Sequence, residues 1–289
     1  ATQGIRTTNG ASIFHDNIPV SNSTAVDKLN NAGGVLMGKN HCLEFACGDH
    51  NPLYGDVHNP WDLDHTPGGS SSGSASSVAA GLVFGSMGSC TGGSIRGPAS
   101  FCGIVGLKPT YGLVSRNGVF PLSWSIDHAG PLARTVEDCA IMLQAVAGYD
   151  PKDSSSANVR IPDYVGSLAG GIKDLRVGVP KEFIDGADEE VTHLVEKAIQ
   201  VLRRLGARIV DISLPLTGEY ATASGNIITW SEAAQVHTPW IERLDEYTKG
   251  VRQKVLLGSV IPSGMYHKAQ QLRRLIQREI GDAMKEVDV

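Results

Sequence analysis

The chain has 289 residues, of which 41% are hydrophobic, so it can bury the core of one large domain or two smaller ones. Lys and Arg number 25 against 30 Asp and Glu, and the formal net charge of −5 argues against binding nucleic acid through bulk charge. No apolar run approaches the roughly 18 residues that a membrane helix needs, and the first residues lack the pattern of a signal peptide. We therefore expect a cytoplasmic protein without nucleic-acid or membrane partners.

The first half of the chain predicts helices that alternate with short strands. Residues 23–32 form a helical pattern that Ser23 or Thr24 can cap, and the apolar residues 35–37 indicate a short buried strand. Small residues at 74–80 predict a second helix, which leads into a strand at 82–84.

The second half continues this alternation. A helix over 135–147 has Thr135 as its N-cap, and the Asp-, Ser- and Pro-rich segment 149–162 is a loop. A strand at 175–179, an amphipathic helix at 189–205 and a strand at 208–212 follow, and residues 221–289 are mostly helical. This order predicts a largely parallel or mixed sheet with helices on both faces.

Glycine is the compositional excess. The chain has 34 glycines, and 13 of them fall between residues 68 and 118, among Ser, Ala and Thr. A flexible linker has similar composition, but this stretch also carries apolar runs typical of ordered structure. Small residues among apolar ones indicate closely approaching backbones, and hence a binding site built from main-chain atoms.

The five cysteines show no spacing typical of a zinc site. We expect them to be buried free thiols in a reducing compartment, and we expect neither a metal nor a cofactor. The cysteines are Cys42, Cys47, Cys90, Cys102 and Cys139.

The run SCTGGSIRGP at 89–98 places Ser94 directly after Thr-Gly-Gly. Backbone N–H groups flanked by glycine can converge on one point and stabilise a developing oxyanion, so Ser94 is a candidate nucleophile. The alternative is that Ser94 caps a helix that begins at Ile95, and spacing alone favours this structural role.

Four runs together resemble the amidase signature family. The resemblance extends to Gly38-Lys39, to Glu44-Phe45 and to Asn59-Pro60-Trp61, and it covers most of the chain. It implies an α/β fold with a mixed β-sheet core covered by helices on both faces, as a single domain over 1–289 that is incomplete at both ends. The glycine- and serine-rich catalytic core would span about 68–138. The runs are GGSSSGSA (68–75), GSCTGGSIRGP (88–98), CGIVGLKPTYG (102–112) and DHAGPLARTVED (127–138).

The resemblance implies hydrolysis of a carboxamide or aryl amide to a carboxylate plus ammonia or amine, through an acyl-enzyme and a Ser–cis-Ser–Lys triad. By position, Ser94 corresponds to the nucleophile, and Ser70 to the bridging serine that follows a cis peptide bond. Thr91, Gly92 and Gly93, with Ser94, would supply the oxyanion-hole amides. A relay requires contact, so we expect Ser70 and Ser94 to lie within hydrogen-bond reach, about 2.6–3.2 Å.

Three positions depart from the family pattern. Cys90 stands where relatives usually have Asp, and Ser72 replaces a glycine of the serine-rich run. The catalytic lysine has no counterpart, because its motif would precede the stretch that resembles residues 2–10. We therefore expect an internal fragment of a longer enzyme that by itself turns over amides poorly.

Two other functions stay open. One is the amidase subunit of a glutamine-dependent tRNA amidotransferase, although the stretches 54–61 and 123–128 look more like stand-alone amidases. The other is a non-catalytic scaffold that has kept the fold, which Cys90 and the missing lysine would fit. The expected partner is a small-molecule amide substrate, and a homo-oligomer is compatible with the sequence.

Overall fold

A computed structural model describes residues 1–289 and contains nine α-helices and five β-strands. The helices are α1 (Thr24–Asn31), α2 (Ser72–Ala79), α3 (Arg96–Phe101), α4 (Val136–Val146), α5 (Tyr164–Ser167), α6 (Glu189–Arg204), α7 (Pro215–His237), α8 (Lys249–Ser259) and α9 (Ser263–Ala283). The strands are β1 (Gly85–Cys90), β2 (Val105–Gly106), β3 (His128–Ala133), β4 (Arg176–Pro180) and β5 (Arg208–Ile212).

The chain divides into two compact units. The first comprises Ala1–Ser167 and Thr229–Val260, and the second comprises Leu168–Ile228 and Ile261–Val289. The prediction of one domain over 1–289 stays a prediction.

The first unit contains a three-stranded antiparallel sheet in the order β1-β3-β2. Consecutive residues of its central strand, β3, are buried. Because side chains alternate between the two faces of a strand, β3 is therefore buried on both faces. Leu132 packs with Ala75 of α2 and Ile95 on one face. Ala129 packs with Leu143 of α4 on the other face. Helices therefore cover both sides of this sheet, as predicted.

An aromatic cluster forms a further core of the first unit. Phe45 and Tyr247 pack with the apolar residues of α8 and with the last turns of α7. Phe14, Phe120 and Trp240 surround this cluster with edge-to-face or tilted rings. Such ring pairs add to the stabilisation that burial of their apolar area supplies.

The second unit contains the predicted β-α-β unit, in which α6 connects the parallel strands β4 and β5. Asp288 continues the hydrogen bonding beside β4, since its N–H donates to the Arg176 carbonyl at 2.8 Å and its carboxylate pairs with the Arg176 guanidinium at 2.7 Å. Glu279 of α9 accepts hydrogen bonds from the first turn of α7, within the same unit.

Several local predictions are confirmed. Thr135 caps α4 by accepting a hydrogen bond from the Asp138 N–H at 3.0 Å. Residues 149–162 contain no helix or strand, and all five cysteines are free, four of them buried. No helix is long and apolar enough to cross a membrane.

Two predicted strands are wrong. Residues 35–37 have no regular structure, and Val35 is 81% exposed. Residues 82–84 precede β1 rather than forming it, and Phe84 is 84% exposed beneath the Arg134 guanidinium. Both runs are apolar but lie where no neighbouring strand pairs with them, and a strand needs such a partner.

Candidate active site

Two loops of the first unit bring the predicted catalytic serines together. One loop precedes α2 and carries Ser70, and the other precedes α3 and carries Ser94. The Ser71 N–H donates to the Ser94 carbonyl at 3.2 Å, so the loops are joined directly through their backbones. Gly68 permits this approach, because a Cβ there would lie 2.9 Å from Pro98 Cα.

The peptide bond between Gly69 and Ser70 is cis, as the resemblance implies. Ser70 is 3% exposed, and its carbonyl accepts a hydrogen bond from the Leu43 N–H at 3.1 Å. Its hydroxyl is buried without a hydrogen-bond partner. The predicted hydrogen bond between Ser70 and Ser94 is therefore not formed, although both residues line the same cleft. The contact between the two loops that the structure shows is the backbone hydrogen bond from Ser71 to Ser94.

The loop before α3 exposes unpaired backbone donors. The N–H groups of residues 91–94 have no acceptor within the described chain. A Cβ on Gly92 or Gly93 would meet no atom within 4 Å, so these residues face open space. Unpaired donors that face a cleft can bind a negatively charged oxygen. Ser94 does not cap a helix, because α3 begins at Arg96 and its N-cap position is Ile95.

Asp127 holds this loop in place by hydrogen bonds. Its carboxylate accepts hydrogen bonds from the Thr91 hydroxyl at 2.5 Å, from the Leu122 N–H at 2.8 Å and from the Ser123 N–H at 2.9 Å. Asp127 is 5% exposed, and burial raises its pKa above the usual value, although these hydrogen bonds oppose the rise. Asp127 therefore joins the start of this loop to the turn at 122–123 by hydrogen bonds.

The two loops open onto a cleft of about 340 Å³. Ser70, Ser94 and residues 91–93 line this cleft, together with Cys47, Leu122, Trp230 and Lys254. Burial raises the pKa of Cys47 to about 12, so its thiol is protonated at neutral pH.

Trp230 and Lys254 were not among the site residues predicted from the sequence, although both line the cleft. The Lys254 ammonium donates to the Cys47 carbonyl and lies 5.2 Å from the centre of the Trp230 ring. Nothing in their local pattern marks them, because both lie on helices whose apolar spacing is ordinary.

Three other lysines of the first unit make structural contacts. Lys39 donates to the hydroxyls of Thr2 and Thr7. Lys28 donates to three successive carbonyls at the end of α4. Lys108 donates to the carbonyl of Pro109. Among the described residues, no group of three His, Cys, Asp or Glu side chains is placed to hold a metal ion.

The fold thus places a loop with a cis peptide bond before Ser70 against a Thr-Gly-Gly-Ser loop. The sequence model of the Amidase family matches residues 1–289, and the chain belongs to this family.

Curated relatives and solved structures agree with this membership. One subunit of glutamyl-tRNA(Gln) amidotransferase from a Geobacter species is 44% identical over 318 aligned residues, which cover 100% of this chain. The chain spans 65% of that relative's length. The corresponding subunit from Thermotoga maritima superposes with a TM-score of 0.86 at 35% identity, covering 99% of this chain and 64% of the other.

A third match comes from a structural study of a vestigial protein complex and the origins of an s-triazine catabolic enzyme. It superposes with a TM-score of 0.93 at 35% identity, over 99% of this chain and 63% of the other.

Proposed function

We propose that the protein carrying this chain hydrolyses amides through an acyl-enzyme on Ser94. The observation that supports this most is the meeting of Ser94, the buried Ser70 hydroxyl and the unpaired N–H groups of residues 91–94 at one cleft. No other arrangement of side chains around that cleft offers a nucleophile with an adjacent oxyanion site.

In the proposed mechanism, Ser94 Oγ attacks the amide carbon while its proton passes to Ser70 Oγ, and the Ser70 proton passes to a neutral lysine. The amide oxygen becomes an oxyanion that the N–H groups of residues 91–94 stabilise. Collapse of this intermediate breaks the C–N bond, and the relay returns a proton to the leaving amine. Water then hydrolyses the acyl-enzyme by the same steps.

Lys254 is not the proposed base. Its Nζ is already engaged with the Cys47 carbonyl and lies 5.2 Å from the centre of the Trp230 ring. The base is the lysine that the family resemblance assigns to a motif before the stretch resembling residues 2–10. Lys254 instead lines the cleft as a basic residue, so we propose amides that also carry a carboxylate as preferred substrates.

The nucleophile is tested by replacing Ser94 with Ala in the protein that carries this chain and measuring ammonia release. We expect a loss of at least about 10³-fold in kcat. Ser100→Ala is the matched control, because Ser100 is an exposed serine of α3. Retained activity in Ser94→Ala would refute the proposed function.

The substrate class is tested with two amides of equal length, succinamate and butyramide. A charge-assisted contact to Lys254 is worth about ten- to a hundredfold in affinity, so Lys254→Met should raise KM for succinamate by that factor. The KM for butyramide should stay within about twofold, since a neutral methyl group does not interact with the ammonium. Equal changes for both amides would count against a carboxylate-bearing substrate.

A second candidate function follows from the relatives named as one subunit of an amidotransferase. In that case the chain would act as a glutaminase within a complex. Glutaminase activity that appears only with copurifying subunits would favour this candidate over a stand-alone amidase.

A non-catalytic scaffold has less support. Cys90, which stands in place of the usual Asp, is fully buried with Ala75, Ile95 and Leu132 and does not line the cleft. Its substitution therefore removes no group from the proposed catalytic surface. A Lys-Asp-Asn-type stretch encoded upstream of Ala1 would support the enzyme, and its absence would favour the scaffold. The five free thiols fit the proposed cytoplasmic location.

A further inference from the structure

Glu232 of α7 is a carboxylate buried to 1% exposure in the first unit. It accepts hydrogen bonds from the Ser123 hydroxyl at 2.6 Å, from the Ser125 N–H at 3.1 Å and from the Ser125 hydroxyl at 2.6 Å. All three donors belong to one short turn, at 123–125. A buried carboxylate is costly to desolvate, so these hydrogen bonds hold the turn firmly against α7.

This turn is joined to the oxyanion loop. Ser123 donates its hydroxyl to Glu232 and its backbone N–H to Asp127, at 2.9 Å. Asp127 in turn accepts the hydrogen bond from Thr91 at the start of the oxyanion loop. Glu232 and Thr91 are thus connected through Ser123 and Asp127 by successive hydrogen bonds.

Both ends of this connection lie beside residues of the cleft. Trp230, two residues before Glu232 on α7, and Leu122, next to Ser123, both line it. Glu232 therefore ties the turn at 123–125 to α7 next to the cleft.

We propose that Glu232 is a positioning residue for the oxyanion loop, acting through Ser123, Asp127 and Thr91. This inference rests on the proposed amide hydrolysis. Its effect should fall on the transition state more than on substrate binding, because the oxyanion forms only after Ser94 attacks. Misplacement of a reacting group by about 1 Å can cost about 10²-fold in rate, and loss of one oxyanion donor about 10²–10³-fold.

The variant Glu232→Gln keeps the side-chain shape but replaces one acceptor oxygen by an NH₂ group. The NH₂ group cannot accept, so the serine hydroxyl that it faces must turn to accept from it. The remaining hydrogen bonds lose the charge of the carboxylate, and the turn is held less firmly. We expect kcat to fall at least about tenfold with KM within about twofold, a smaller effect than direct loss of a donor.

Glu279→Gln is the matched control. Glu279 also accepts three hydrogen bonds from one turn, namely from the Leu216 N–H, the Thr217 N–H and the Thr217 hydroxyl. It lies in the second unit and does not line the cleft. A general effect of losing a carboxylate that holds a turn should therefore appear in both variants, whereas a positioning effect should appear only in Glu232→Gln.

The experiment measures kcat and KM with the amide that is turned over, succinamate or butyramide. It also measures the inhibition constant of the corresponding aldehyde, which is succinic semialdehyde for succinamate and butyraldehyde for butyramide. Addition of the Ser94 O–H across the aldehyde C=O places its oxygen in the oxyanion site. In Glu232→Gln we expect the inhibition constant to rise by the same factor as kcat falls, with Glu279→Gln unchanged in both. Ser123→Ala, which removes one hydrogen bond to Glu232, should weaken aldehyde binding in the same direction.

Unchanged kcat in both Glu232→Gln and Ser123→Ala would overturn the inference. An equal loss of kcat in Glu279→Gln would also overturn it, as would an unchanged inhibition constant of the aldehyde in Glu232→Gln. If Glu232→Gln does not fold, Ser123→Ala alone decides, by the same two measurements. Activity that survives Ser94→Ala would instead refute the proposed function itself.

Discussion

His237 makes the aromatic core of the first unit sensitive to acid. The imidazole is fully buried, with ring centres 4.6 Å from Phe45, 5.6 Å from Phe120 and 5.4 Å from Tyr247. Nδ1 lies 3.0 Å from the Tyr247 hydroxyl, and Nε2 is buried without a partner. Burial lowers the pKa of His237 to about 4, because this environment solvates an imidazolium poorly.

The lowered pKa makes the free energy of unfolding depend on pH. The unfolded chain binds a proton at this residue near pH 6.5, whereas the folded chain does so only near pH 4. The stabilisation is complete above pH 6.5 and is lost as the pH falls toward 4, since acid favours the unfolded state. Between pH 7.5 and pH 4.5 this loss amounts to about 2.5 kcal/mol.

The assay is urea denaturation of wild type and His237→Phe at several pH values between 4.5 and 7.5. Phe fits an aromatic environment and removes the unpaired nitrogen, so we expect a smaller acid loss in the variant, by about 2.5 kcal/mol. The half-buried His128, whose pKa burial also lowers to about 4, titrates in both proteins and cancels in the difference. Tyr247→Phe breaks the same hydrogen bond but keeps the imidazole, so it should retain the wild-type acid loss. Parallel pH profiles for wild type and His237→Phe would refute the reasoning.

Three further substitutions test the packing around the site. Gly73→Ala should destabilise by about 1–3 kcal/mol in thermal unfolding, although Ala normally favours a helix, because the new Cβ would lie 2.4 Å from the His41 carbonyl oxygen; a raised Tm would contradict this. Lys28→Met removes three hydrogen bonds at the end of α4 and should cost about 1–3 kcal/mol in urea denaturation, with kcat unchanged. Thr91→Val leaves Asp127 without its hydroxyl donor and should lower kcat by about tenfold with little change in KM; Thr110→Val, at an exposed position, is its control.

The local elements with strong patterns could be predicted from the sequence. The β4–α6–β5 unit agrees with its predicted boundaries to within a residue or so, because a long amphipathic helix between two apolar runs allows few alternatives. The cap of α4 also agrees with prediction, since Thr135 and Asp138 have the side chains that this geometry requires.

The sequence could not show that the apolar runs at 35–37 and 82–84 do not form strands. A short apolar run has the same local signal whether or not a neighbouring strand pairs with it. The strand that does form, β1, is rich in Gly and Ser and owes its conformation to pairing with β3.

For the site, the two serine loops could be identified from the sequence through the family resemblance, because each loop is a contiguous run of residues. Only the tertiary structure brought Lys254 and Trp230 to the cleft and placed Glu232 against Ser123, 109 residues away. A buried carboxylate on a helix has no sequence signal of its own, since its structural role depends on which hydrogen-bond donors surround it. Those donors are supplied by packing between segments far apart in the chain, and only the folded chain decides that packing.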